Sequence, residues 1–439
     1  MTIWKMIVSV CLLVCVMSTC YLSAQESLSL ESAIRIGLEN NYSIRISKND
    51  TQIAENNVSV GNAGMLPRLD ATASEGGTIT NVNQELTSGQ TIDKIGATSM
   101  AFNAGIALTW TLFDGFKMFA SYDRFQEIQR IGNLIFRRTV ENTLSQIISQ
   151  YYDVIAQRNS LETFQEAVYV SQRRFDVAKN RNELGASSQQ RLLQATIDFN
   201  EDRAVFLRQK ATLQRSKITL NQLLARNADI EFEPSDSIAL KPKFIIEDLR
   251  EKSFIDNTSL LIAKSNKLLA ENDLKLLNAD WYPTLSFSSG LNYAKTNSQF
   301  GAVMSARTLG FNYGITASIN LFEGGNLSRK SENTRLLVLS NEYNIALVKE
   351  QVSADVSRMY KQYITAIELV QLETENALLT KQNVDISLER YKLGNMNEFE
   401  FRQAQKTMVD AENRTIKSLY EAKIAETELL RLSGALVNP

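Results

Sequence analysis

LGFNYGITASINLFEGG, residues 309–325, alternates with a period of two. Leu309, Phe311, Tyr313, Ile315, Ala317, Ile319 and Leu321 are apolar, whereas Thr308, Gly310, Asn312, Gly314, Thr316, Ser318 and Asn320 are small or polar. Alternation sustained over that length predicts a half-buried strand. The next Gly after Gly325 is Gly394, and everything between reads as helix. The strand's apolar face therefore needs a partner that a mainly helical chain does not obviously supply.

Composition narrows the possibilities. The 439 residues carry 47 basic and 49 acidic side chains, and a formal charge of -2 gives no reason to expect nucleic acid or a strongly charged ligand. The chain has no His, which removes the commonest general base, the commonest metal ligand, and the Ser-His and Cys-His nucleophile pairs. Carboxylates are plentiful but spread along helix surfaces, so no catalytic dyad stands out. Gly324-Gly325 lacks the GxxxxGK[ST] surroundings of a phosphate loop and reads as a tight strand-to-helix corner. The expectation is a protein that is not an enzyme and uses no cofactor or metal.

Residues 1–24 have the order of a secretory signal peptide: Lys5, an apolar run from Met6 to Met17, then small residues before Ala24-Gln25. Cys11, Cys15 and Cys20 all fall inside it, so the exported chain would carry no thiol. A lipoprotein signal acylated at Cys20 is the rival reading, although Met17-Ser18-Thr19 is a poor lipobox. No later stretch reaches about 18 consecutive apolar residues, the length a membrane-spanning helix needs. Export without such a helix leaves the periplasm, the exterior, or an outer-membrane barrel.

The chain repeats itself. Residues 40–69 align with 256–285 at an offset of 216, placing Asn41 on Asn257, Glu55 on Glu271 and Pro67 on Pro283. LTWTLFDG (108–115) aligns with ASINLFEG (317–324), and LGASSQQRLLQA (184–195) with LGNMNEFEFRQA (393–404), both at an offset of 209. The first copy is thus longer in a loop between the proline and the LF(D/E)G motif. The expected organisation is a first repeat over 25–229, a linker at 230–245 and a second repeat over 246–439.

Each repeat has the same expected parts. A helical segment, Leu28 to about Asn62 or Ile246 to about Asn278, ends near a proline. A strand pair follows, at about 68–81 and 98–114 in the first repeat and about 284–296 and 308–322 in the second, joined by the polar loops NVNQELTSGQTIDKIG and TNSQFGAVMSAR. Then come runs free of both Gly and Pro, Asn133–Leu184 and Asn326–Leu393. Ile345, Val348, Val352, Val356, Met359, Tyr363, Ile367 and Val370 form a coiled-coil-like stripe in the second run. A helix of such a length is on the order of 100 Å long and must pack along neighbours.

Four strands cannot close a membrane barrel, because open edges in lipid leave backbone groups unpaired and known barrels need about eight or more strands. Three chains would supply twelve, and two would make a barrel too narrow for sizeable cargo. The helical stripes likewise call for copies of the same chain. The duplicated helix-strand-strand-helix-helix unit, the LF(D/E)G motifs at Leu112–Gly115 and Leu321–Gly324, and YKLGNMNEFEFRQAQ together resemble the TolC-type outer-membrane efflux proteins, over essentially the whole exported chain. The resemblance implies a mainly α fold with a membrane β-barrel: a homotrimer with a twelve-stranded barrel in the outer membrane and a long α-helical periplasmic tunnel. It further implies a periplasmic adaptor and an inner-membrane pump of RND or ABC type as partners, with outer-membrane lipid around the barrel. A periplasmic or secreted coiled-coil scaffold is the competing reading, and the alternating strands argue against it.

Site residues follow from the same resemblance. Position by position, the family's periplasmic gate falls on Tyr391, Glu400 and Gln403; Glu400 would form a three-fold carboxylate ring, and Gln403 departs from the usual acid. The acidic partner on the first repeat falls on Arg191, so an Arg191–Glu400 pair across neighbouring hairpins is expected in its place. Leu184, Gly185 and Ala186, with Leu393, Gly394 and Asn395, would form the tips met by the adaptor. Gly in the left-handed conformation at a helix end accounts for these turns structurally. Phe113-Asp114-Gly115 and Phe322-Glu323-Gly324-Gly325 turn the chain from barrel to tunnel. Trp110, Phe116, Phe119, Trp281 and Tyr282 join Phe113 and Phe322 in packing that junction or in an aromatic belt at the inner membrane interface. On this reading the apolar face of 309–321 meets lipid, and the small even positions face a wet lumen.

Overall fold

The computed structural model describes residues 26–240, 244–301 and 303–436. The expected signal peptide, with its three cysteines, lies outside them. Two compact units divide the chain: one comprises residues up to Ser47, Arg137–Thr258 and Glu350 onward, the other Lys48–Phe136 and Ser259–Lys349. Among the described residues no helix is long and apolar enough to cross a membrane.

The first unit is helical. It contains α1 (Leu30–Asn40), α4 (Gln189–Leu223), α5 (Ile246–Asp256) and α8 (Glu398–Leu432), together with most of the 67-residue helices α3 (Lys117–Glu183) and α7 (Asn326–Lys392). Leu28, Ile147, Tyr151, Ile155, Leu220 and Phe232 pack its core, each almost completely buried. Such a side chain contributes roughly 1.5–3 kcal/mol by leaving water. The stripe on α7 is buried at Val352, Val356 and Tyr363, as its near-heptad spacing requires.

The helical segments differ from expectation in two respects. Each is broken once, at Asn41 before α2 (Tyr42–Asn56) and at Asn257 before α6 (Thr258–Ala279). The Asn41 carboxamide accepts from the Ser43 N–H at 2.9 Å and donates to the Leu223 carbonyl at 2.8 Å. Asn257 donates to the Leu432 carbonyl at 3.0 Å. The repeated asparagine thus ties the end of each repeat's last helix to its first helical pair. A second difference is a short parallel pair, β1 (Glu26–Leu28) with β4 (Phe232–Pro234). Leu28 is therefore strand rather than helix, and Phe232–Pro234, within the expected linker, acts as a staple.

The second unit holds most of α2 and α6, the starts of α3 and α7, and one antiparallel sheet in the order β2-β3-β5-β6. Its strands are β2 (Arg68–Glu85), β3 (Thr91–Phe113), β5 (Thr284–Ser298) and β6 (Ser305–Ser318). The polar loops are shorter than expected because the ladders run into them: β2 and β3 stay paired out to Glu85↔Thr91. In contrast, β6 stops at Ser318, although its alternation continues to Leu321, because β5 begins opposite it at Thr284, just after Pro283. β3 continues to Phe113 because it has a second partner in β5. The two hairpins share one register: Arg68↔Thr109 maps onto Thr284↔Ser318 through the same offsets of 216 and 209 read in the sequence.

One sheet face is apolar and open. Leu309, Phe311, Tyr313 and Ile315 are 66–76% exposed, with Leu69, Met100 and Ile106 exposed on the same face. At the strand-to-helix corner Gly115 has φ of +71° and Phe116 +69°, a left-handed pair matched by Gly324 (+59°) and Gly325 (+74°) in the second repeat. Gly115 also lies tight against α6, where an added Cβ would stand 2.4 Å from the Ala279 carbonyl oxygen. Gly115→Ala is expected to destabilise the fold by about 2 kcal/mol or more, through combined strain and overlap. A lowered midpoint of helix loss on heating, followed by circular dichroism, checks this; an unchanged midpoint contradicts it.

Candidate functional site

The two long helical hairpins end in matching turns. α3 closes with Gly185 at φ +70°, where the Gly185 N–H bonds to the Asn182 carbonyl and the Ala186 N–H to Arg181. α7 closes with Gly394 at φ +82°, where the same pair of bonds runs from Gly394 to Tyr391 and from Asn395 to Arg390. Both are Schellman caps, and only Gly adopts that conformation without strain. The turns leave Leu184 and Leu393 82% and 74% exposed. The helices that follow start differently. The Asn397 carboxamide caps α8 by accepting from the Glu400 N–H at 2.9 Å, whereas Ser188 makes no side-chain cap to α4.

Just behind the turns, charge is buried. Arg174 on α3 has no exposed surface; its guanidinium pairs with Asp198 on α4 and stands 3.2 Å from the Glu398 carboxylate on α8. The Tyr391 hydroxyl donates to Glu398 at 2.9 Å, and its ring stacks on fully buried Phe401 at 5.4 Å. Burial, then the neighbouring Glu398 charge, pushes the Tyr391 phenol well above its ordinary value, so it keeps its proton and remains a donor. A proton held more tightly in the fold stabilises it below the ordinary tyrosine pKa of about 10, and that contribution fades as pH rises through the higher folded value. Arg181 reaches across to the Lys392 carbonyl at 2.9 Å, capping the end of α7 from the other hairpin. One turn deeper, Arg402 holds Asp202 through two contacts of 2.8 Å, and Gln405 bridges Asp202 and the Ala167 carbonyl.

Against this frame the expected gate residues separate. Tyr391, Glu400 and Arg191 line one cavity of about 390 Å³ with Arg181 and Glu398. Gln403 is exposed, and its side chain donates to the Thr407 hydroxyl of its own helix at 3.5 Å. Within the chain no ion pair joins Arg191 to Glu400 among the described residues, and Tyr391 is held by Glu398. The six tip residues Leu184, Gly185, Ala186, Leu393, Gly394 and Asn395 are all exposed. The corner residues lie in the other unit: Asp114 caps α3 by accepting from the Met118 N–H at 3.2 Å, Phe113 packs edge-on to Phe116 at 5.4 Å, and Phe322 is 85% exposed beside Glu323, Gly324 and Gly325.

Arg174, Asp198 and Glu398 are functional candidates that helix periodicity does not pick out. A usable signal lay in the repeats. At the 209-residue offset Arg174 falls on Asn383, Asp198 on Thr407, and Glu398 on Gln189, so these charges are not duplicated with the fold.

The family model described as outer membrane efflux protein matches residues 33–226 and again 251–435. The outer membrane protein TolC of Vibrio cholerae is 20% identical over 383 residues, which cover 86% of this chain and 84% of that one. The alkaline protease secretion protein AprF of Pseudomonas aeruginosa is 20% identical over 425 residues, covering 93% and 85% respectively. Among solved structures, the CmeC outer membrane channel of Campylobacter jejuni superposes with a TM-score of 0.79 at 14% identity, over 93% of this chain and 86% of that one.

Removing Arg174 would leave the buried Asp198 and the half-buried Glu398 carboxylates without their cation. Arg174→Ala is therefore expected to cost about 3–5 kcal/mol, and Tyr391→Phe about 1 kcal/mol. Denaturant titration checks both; equal effects of the two substitutions would contradict the assignment of Arg174 as the centre of the cluster.

Proposed function

The chain belongs to the outer membrane efflux protein family, and from that premise we propose that three copies of it form a passive export channel through the outer membrane. The open sheet is the observation that carries this reading. Its four strands expose an apolar face, while β2 and β6 each have one edge with no partner strand among the described residues. Four strands fall short of the roughly eight that the narrowest membrane barrels need, and an unpaired edge is not tolerated in lipid. Three copies supply twelve strands, enclosing a lumen lined by the small residues at even positions such as Gly310, Asn312 and Gly314.

The long helices then form the periplasmic part of the duct. Their exposed tips, Leu184–Ala186 and Leu393–Asn395, receive a periplasmic adaptor, which couples the channel to an inner-membrane pump of RND or ABC type. Passage needs no catalysis by this chain. The names of the relatives fit export, one being a secretion protein and another an outer membrane channel. Residues 1–24 direct the chain out of the cytoplasm, and the repeats over 25–229 and 246–439, joined by 230–245, each contribute one hairpin of strands and one of helices.

The tip cluster serves as the gate. Tyr391, held by Glu398 and through it by Arg174, keeps the start of α8 against the first hairpin. Glu400, exposed in the first turn of α8, supplies a ring of three carboxylates that attracts cations, with Arg191 within its reach in the same cavity and Gln403 beyond it. Release of the Tyr391 contact lets the hairpin swing and the duct widen.

Single-channel recording in planar lipid bilayers tests this. The protein is expected to give discrete conductance steps, Tyr391→Phe combined with Glu398→Gln to enlarge them severalfold, and Glu400→Gln to weaken block by multivalent cations. Unchanged steps in these variants would overturn the gate assignment, and no steps at all would overturn the channel.

A further inference from the structure

The two repeats meet inside the chain at β3 and β5, and that junction fixes how one copy must meet the next. The argument rests on the three-copy reading above. Inside each repeat the ladder from Arg68↔Thr109 to Thr80↔Ala97 maps pair for pair onto Thr284↔Ser318 to Thr296↔Ala306 under the offsets of 216 and 209, and diverges only past the irregularity at Thr80/Val82, so along the shared ladder those offsets belong to the backbone as well as to the sequence. Between repeats, β3 pairs with β5 with Ile106 opposite Leu291 and Gly105 opposite Asn292. The position 209 residues after Ile106 is Ile315 on β6, and the position 216 residues before Leu291 is Glu75 on β2.

We propose that β6 of one copy pairs antiparallel with β2 of the next, with Ile315 opposite Glu75 of that copy. The register then runs from Ser305 opposite Glu85 to Ser318 opposite Thr72. Ser305 is the first residue of β6 and Glu85 the last of β2, so the outer ends of the two strands coincide. The same register sets the stagger that a closed barrel must carry. A hydrogen-bonded row passes through Glu75, Phe102, Lys295 and Arg307 in one copy and re-enters β2 of the next at Asn83, eight residues further along.

The corners point to the same neighbour. Gly115 is pressed against the backbone of Ala279 and the Cβ of Tyr282 at the end of α6. Gly324, its counterpart in the second repeat, has the same left-handed backbone yet nothing within 4 Å of the place where a Cβ would stand. The counterparts of Ala279 and Tyr282 are Ala63 and Leu66, which the next copy brings to Gly324. The Arg124–Asp273 ion pair of the internal junction becomes Asn333 facing Asn57 between copies, a neutral amide pair in place of charges.

Disulfide trapping in the full-length chain reads the register directly, because residues 26–439 contain no cysteine. Thr316→Cys with Ser74→Cys, and separately Asn312→Cys with Thr78→Cys, are expected to give reducible two-copy and three-copy bands after oxidation in outer membranes. Pairing Thr316→Cys with Thr72→Cys or Gly76→Cys moves the partners to diagonal positions about 7–8 Å apart, at or past the limit for a disulfide, and is expected to yield about tenfold less. A displaced pair that links better than both in-register pairs overturns the register and leaves the three-copy reading intact. So does failure of every pair while glutaraldehyde still captures three copies. Single copies under both treatments overturn the three-copy reading itself.

Discussion

A backbone N–H or C=O placed in hydrocarbon must find a partner in protein, and this requirement organises the molecule. The chain builds a sheet in which β2-β3-β5-β6 satisfy one another internally, but the outer edges of β2 and β6 have no partner strand among the described residues. In water such edges invite aggregation; in a membrane they forbid a solitary chain. The apolar odd positions of β6 are exposed for the same reason that the edges are open, since both are finished by something outside the single chain. Duplication makes the solution economical. One hairpin repeated twice sets the rule by which each hairpin joins the next, and closure follows when the rule has been applied around the ring.

The helices face a different difficulty. Very long hairpins with modest apolar stripes need devices that fix them to one another, and the devices differ along their length. Asn41 and Asn257 stitch the first helical pair of each repeat to the end of its last helix. The β1–β4 pair adds a staple beside the core around Tyr151 and Phe232. Near the tips, where apolar packing shrinks to Val170, Tyr391 and Phe401, a buried ionic cluster takes over. A buried ion pair adds little net stability compared with packed hydrocarbon, yet breaking it by losing one partner is expensive. That asymmetry fits the gate role proposed for this cluster.

Much of this architecture was legible in the residues. Alternation from Leu309 onward, the recurrence of LF(D/E)G and LG turns, and the absence of Gly and Pro from the long runs identify strands, duplication and helices without coordinates. The boundaries were less legible, for physical reasons. β2 and β3 continue as a paired ribbon through Asn83, Gln84 and Asp93, where nothing apolar is required of either face, so periodicity fades before the hydrogen bonding does. β6 ends at Ser318 because its partner begins at Thr284, a fact of pairing rather than of its own composition. Three-residue strands such as β1 are too short to carry a period. At the tips, the glycine turns were legible from the repeated LG motif and Tyr391 was singled out by resemblance, but Arg174 looks like any solvated helix residue until Asp198 and Glu398, 24 and 224 positions away, close over it.

Closure of the sheet by copies of the same chain is the central claim, and the mass of the intact particle tests it most directly. Native mass spectrometry of the protein extracted from outer membranes in mild detergent should give three times the mass of the exported chain, with no stable species of one or two copies. A particle of one chain, with its sheet edges open, or of two chains would contradict the account.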